Sequence, residues 1–221
     1  LAWGFGSYRF GHLLHLQLQS LYWLPLAALV LHRVVAGRRR RDAVVLGVLV
    51  GLQAISSVYY AVIGGVGLVV AGLSLGLTAT RRGRGRLLGR LALAAVVAGG
   101  VALPVGVVYL RVQQEQGFGR NLFEAAQGEA RVSSYLQVPA GNLLYGRTGL
   151  LHAPSTSADA RGAGPERELF PGFVLLGLAV LGVRAGWRSD TRPLVVAMCV
   201  VTVTGLVLSL GPDGVRPLYA F

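Results

Sequence analysis

The stretch Tyr8–Gln19, "YRFGHLLHLQLQ", sets an arginine, two histidines and two glutamines immediately before the apolar run "SLYWLPLAALVLH". At about 100° per residue on a helix, Arg9, His12, His15, Gln19 and Trp23 fall within an arc of roughly 120°. Phe10, Leu13, Leu14, Leu18 and Leu21 take the remaining faces, and Gln17 is the exception among the polar residues. Arginine offers a planar fork of donors, and histidine a donor or proton acceptor near neutral pH. The stripe suits an anion at a membrane surface, such as a lipid phosphate or pyrophosphate. The plainer reading is an interfacial stripe that faces headgroups. "HLLH" has usable zinc spacing but no third ligand in view.

Two further stretches carry polar groups beside apolar blocks. "QAISSVYY" places Gln53, Ser56, Ser57, Tyr59 and Tyr60 where a helical hairpin would turn. Polar groups at such depth face a protein interior or a cavity, or they cap a turn with interfacial tyrosines. "YLRVQQEQGFGRN" brings Arg111, Glu115 and Arg120 together, Arg111 as a phosphate contact and Glu115 as its partner or a base. A solvated surface pair, worth under about 1 kcal/mol, is the alternative. "SSYLQVPAGNLLYG" (133–146) could line the same vestibule. No phosphate-binding loop of the Gly–Lys–Ser/Thr type occurs. "GGVGLVVAG" (64–72) imitates a dinucleotide fingerprint, but it lies inside an apolar block, where small residues permit close helix packing.

These residues need a scaffold, and composition defines its class. The 221 residues are 53% hydrophobic and 14% charged, with mean hydropathy +0.59. A soluble domain carries about a quarter charged residues. Several apolar blocks approach the roughly 20 residues that cross a bilayer as a helix, and none alternates as a membrane strand does. The expected fold is therefore all-α, a polytopic transmembrane bundle with about six crossings. It forms a single membrane domain over 1–221 with an extracytoplasmic loop segment at 111–169 that carries short surface helices. The sole cysteine, Cys199, lies in an apolar block, so no disulfide forms within the chain.

Net charge is +12, and every basic residue is arginine. Their placement excludes a nucleic-acid face: thirteen of the 21 sit in three short stretches between apolar blocks, at Arg33 with Arg38–Arg41, at 81–90, and at Arg184, Arg188 and Arg192. Short basic loops beside spans mark the cytoplasmic side, so 37–42, 81–90 and 184–192 are expected in the cytoplasm, and 1–17 and 111–169 outside. The predicted spans are Leu18–Ala36 (kinked at Pro25), a hairpin of Ala43–Ser56 and Val58–Leu77, then Leu91–Leu110, Pro171–Val183 and Pro193–Leu210. Val112–Leu136 is expected to form one or two short helices on the membrane surface, and 153–166 a loop rich in Ala, Gly, Ser and Pro.

The order of "SYRFGHLLHLQLQSLYWLPLAALVLHR", "RDAVVLGVLVGLQAISSVYYAV", "YLRVQQEQGFGRNLFEAA", "SSYLQVPAGNLLYG", "ERELFPGFVLLGLAVLG" and "LSLGPDG" resembles part of the GT-C superfamily of membrane glycosyltransferases, nearest its mannosyltransferase-like and YfhO-like bacterial members. The resemblance implies an enzyme of the bacterial inner membrane. It would move a sugar from a polyprenyl-phosphate donor to an extracytoplasmic acceptor, with membrane lipids as further partners and Mg or Mn as a helper in some members. It also implies that the catalytic acid lies in a first outer loop ahead of Leu1, so the chain is expected to be an internal, inactive fragment. Tyr8, Arg9, His12 and His15 would stand at the outer mouth of the central cavity, with "SSVYY" and Arg111 nearby. The alternative is a non-catalytic lipid-binding or transporter-like membrane protein.

Overall fold

A computed structural model describes residues 19–36, 39–78, 81–117, 130–138, 142, 144–145 and 168–211. Among them there is no strand. The order is α1 (Trp23–Val35), α2 (Arg40–Ser56), α3 (Val58–Thr78), α4 (Arg81–Gln116), a 3₁₀ turn (Val132–Leu136), α5 (Phe173–Trp187) and α6 (Arg192–Ser209). Val58–Leu77, Gly83–Gln116 and Arg192–Ser209 are long and apolar enough to cross a membrane. Their apolar side chains stay largely uncovered: Val96 is 73% exposed and Leu103 62%. A face of that kind is stable against lipid and not against water. The chain therefore reads as an integral membrane protein.

The described residues fall into two compact units, one within 17–119 and 186–203, the other within 120–185 and 204–221. In the first, α1 buries Ala27, Val30, Leu31 and Val34. That spacing of three and four residues puts all four on one helical face. They meet Ala43 and Leu46 of α2, Ala71 of α3, and Leu87 and Ala94 of α4.

Contacts along the helices set their directions. The Trp23 Nε1–H at the start of α1 donates to Ser56 Oγ at the end of α2 (3.1 Å), so these two helices run antiparallel. α3 turns back from the break at Ser57, passing Leu24 at Gly64 and reaching Leu87 of α4 at Gly76. α4 then returns beside α2: Gly47 faces Ala94 and Val97, and Gly51 faces Ala98 and Val101. A Cβ on Gly47 would lie 2.5 Å from the Ala94 carbonyl oxygen, and one on Gly51 2.6 Å from Val101 Cβ. Two glycines four apart thus let the α2 and α4 backbones approach where any side chain would hold them off.

This topology leaves Arg33, Arg39, Arg40, Arg41, Arg84, Arg86 and Arg90 at one end of the four-helix unit. Arg90 Nη1 donates to the Val34 carbonyl (3.3 Å), and Arg84 Nε to that of Gly76 (3.4 Å). Asp42 shares the end and accepts the Arg39 N–H (3.2 Å).

Several boundaries differ from the sequence reading. Within the expected span Leu18–Ala36 the helix is shorter: α1 has 13 residues, roughly 20 Å of rise against a hydrocarbon core of about 30 Å. Pro25 does not kink it, because it occupies the first turn, where a backbone N–H has no intrahelical partner. Residues 81–90 do not form a loop but the first turns of α4, and Arg111–Gln116 are not loop but its last. The helix is 36 residues long, roughly 54 Å. It runs through Pro104, which removes one backbone rung, a loss that membrane helices tolerate. Its charge-free stretch is bounded by Arg90 and Arg111, 21 positions apart, roughly 31 Å of rise and close to the hydrocarbon thickness. Helix continuity hid this: arginine is a good helix former, so a basic run between apolar blocks extends a helix as readily as it breaks one.

The second unit is held at its turns. The Leu169 N–H donates to Ser134 O (3.0 Å) and the Phe170 N–H to Gln137 O (3.1 Å), which ties the 3₁₀ turn to the approach of α5. Tyr145, Phe170 and Phe173 stack edge to face with centroids 4.9 to 5.7 Å apart. Gly172, at φ +95°, makes the turn into α5, a left-handed conformation suited to glycine. Tyr135 Oη and Ser209 Oγ lie 2.6 Å apart, joining the turn to the end of α6. Of Val112–Leu136, where short surface helices are expected, the described residues show the end of α4 and this 3₁₀ turn, and 118–129 lie outside them.

Candidate functional site

The α2–α3 break collects the polar groups of the four-helix unit. Ser57 is the one non-helical residue between the two helices, with φ −162° and ψ 109°. Its N–H still closes on Gln53 O (2.8 Å), and its carbonyl accepts the Ala61 N–H (3.0 Å). It therefore ends one ladder and begins the next. Ser56 Oγ donates back to Leu52 O (2.8 Å) while accepting from Trp23, the i−4 back-bond a serine makes within a helix.

Gln53 is fully buried, and its Nε2–H donates to the Ser20 carbonyl (2.7 Å). Among the described residues its Oε1 has no hydrogen-bond partner, nor has the Ser57 Oγ, which is also buried. Ser57 follows the last residue of α2, four positions after Gln53. Buried polar atoms are paired in all but a few places, because leaving one dry costs roughly 1–3 kcal/mol. Each of these oxygens could accept a hydrogen-bond donor.

The structure brings several sequence candidates to this end. Gln53 is at its centre, Tyr60 is half-buried and Tyr59 exposed at the start of α3, and Gln19 is half-buried just ahead of α1. Arg111 and Glu115 stand on the same end of the unit, on the exposed last turns of α4. Val101 is level with Gly51, so Arg111 stands about one helical turn beyond the level of Ser57. One turn separates Arg111 from Glu115, and among the described residues no ion pair joins them. Tyr8, Arg9, His12 and His15 lie outside the described residues, as does Arg120. Among the described residues no group of three His, Cys, Asp or Glu side chains could hold a metal ion.

Sequence reasoning offered a protein interior for Gln53 and Ser57, which are buried, but missed the bonds from Trp23 to Ser56 and from Gln53 to Ser20. A partial signal was present: Gln53 and Ser57 are polar residues at a break between apolar blocks. Their lack of partners depends on what packs across from them. No protein-family model, no curated protein and no solved structure matches this chain.

Proposed function

We propose that the chain belongs to a membrane glycosyltransferase that moves a sugar from a polyprenyl-phosphate donor to an acceptor outside the cytoplasm. One observation supports the reading above others: Gln53, Tyr59, Tyr60, Arg111 and Glu115 gather at the end of the four-helix unit opposite its arginine-rich end. By the positive-inside rule the arginine end is cytoplasmic, so the polar end faces out, in a bacterial inner membrane. In this reading all six helices cross, the shorter α1, α2 and α5 with help from flanking chain. Arg111 would take the donor phosphate, the role the sequence also suggests for Arg9 and His12, and would steady the charge that develops on the departing lipid phosphate.

A second reading, a non-catalytic lipid-binding or transporter-like protein, draws on Gln53 Oε1 and Ser57 Oγ, buried at a helix break without a partner among the described residues. Interrupted helices with unserved oxygens are where transporters hold solutes and ions.

The test is titration of polyprenyl-phosphate sugar against the chain in nanodiscs, with wild type, Arg111→Ala, His12→Ala and the control Arg161→Ala. A loss of about tenfold in affinity, about 1.4 kcal/mol, is expected for the first two variants and none for the control. Equal affinity across all four would remove the phosphate site. Binding without sugar transfer in the full-length protein would favour the second reading.

A further inference from the structure

A lateral groove of about 280 Å³ opens among α1, α2, α3 and α4. Leu31, Val50, Leu73 and Leu91 supply its aliphatic walls, and Gly65 and Ala98 leave the space open. A Cβ placed on Gly65 would meet nothing within 4 Å. The groove is roughly twice the volume of an apolar protein cavity that holds benzene.

Its position along the helices points to the occupant. From Gly65 to Leu73 on α3 is roughly 12 Å of rise, and from Leu91 to Ala98 on α4 roughly 10 Å. Half of a hydrocarbon core is roughly 15 Å, so the groove occupies a single leaflet, the one at the arginine end. Leu91 follows Arg90 directly, and Leu73 lies one turn from Gly76, whose carbonyl takes the Arg84 Nε–H. Arg84 and Arg86 are exposed and Arg90 is half-buried. A guanidinium carries five N–H donors, so a backbone carbonyl leaves it capacity for an anion. No acid offsets these arginines in the first turn of α4, where the helix dipole already favours negative charge. Asp42 is the one described acid that α1–α4 carry at this end.

We propose that the groove holds an acyl chain of an anionic phospholipid from that leaflet, with its phosphate at Arg84, Arg86 and Arg90. The walls recognise hydrocarbon and the arginines select charge. The site lies at the opposite end of the unit from the polar break, and it does not depend on the function proposed above.

The experiment is native mass spectrometry of the chain released from bilayers of equal phosphatidylglycerol and phosphatidylcholine. Wild type is expected to retain phosphatidylglycerol over phosphatidylcholine by about tenfold or more. Gly65→Leu, which fills the groove, should lose the retained lipid while far-UV circular dichroism stays unchanged. The double variant Arg84→Gln with Arg86→Gln should keep lipid but bring the two species toward parity. Equal retention of both lipids by wild type overturns the headgroup assignment, and undiminished retention by Gly65→Leu overturns the groove. A doubled mass that Gly65→Leu abolishes would make a second copy of the chain the occupant and overturn the proposal.

Discussion

Gly47 and Gly51 on α2 and Gly65 on α3 are the same residue in the same kind of apolar helix, and they do opposite things. The first two lie against α4 so closely that an added Cβ would collide with the Ala94 carbonyl or with Val101. Beside Gly65 there is open space and a groove. In a membrane, lipid tails are as apolar as leucine, so helices associate through close packing and not through exclusion from water. One face of the bundle spends its small residues on contact between backbones. The other leaves them as room.

The largest effect expected is from Gly51→Leu, whose side chain has no place between α2 and α4. It should destabilise the protein by about 3 kcal/mol or more, read from equilibrium unfolding in mixed micelles. A loss below about 0.5 kcal/mol would show that the α2–α4 interface yields and would erase the contrast. Gly47→Ala should destabilise less, by about 2 kcal/mol. Its added methyl meets a backbone oxygen, so Val97→Ala should not rescue it; rescue would move the obstacle to the valine side chain. The smallest effect is that of Gly65→Leu on stability, no loss and a gain of up to about 0.8 kcal/mol from helix propensity. A clear loss there would mean that the groove is closed by something packed into it.

Membrane class and helical content were legible because they depend on sums. A low charged fraction and uncharged blocks near 20 residues leave few alternatives. The break at Ser57 was legible too, since "SSVYY" interrupts an apolar run too long for one ordinary span. Boundaries at charged residues were not. Arg81–Arg90 and Arg111–Gln116 read as loops from their charge, yet both continue α4, because a helix can extend past the hydrocarbon and carry its charges into water.

The polar end shows the same division. Gln53, Tyr59, Tyr60, Arg111 and Glu115 were candidates from residue type and position. Nothing local to α2 says that Gln53 reaches the Ser20 carbonyl or that its Oε1 and the Ser57 hydroxyl go without partners among the described residues. Those facts follow from α1 running back along α2, with Trp23 against Ser56.

By itself, then, the sequence determined the solvent this protein folds in, where its helices interrupt, and which blocks of arginine flank them, because hydropathy, propensity and charge are properties of short segments. The tertiary structure decided which glycines clamp and which open a groove, and which polar atoms are buried without partners. Those outcomes depend on what a second helix, far away in the chain, places against the first.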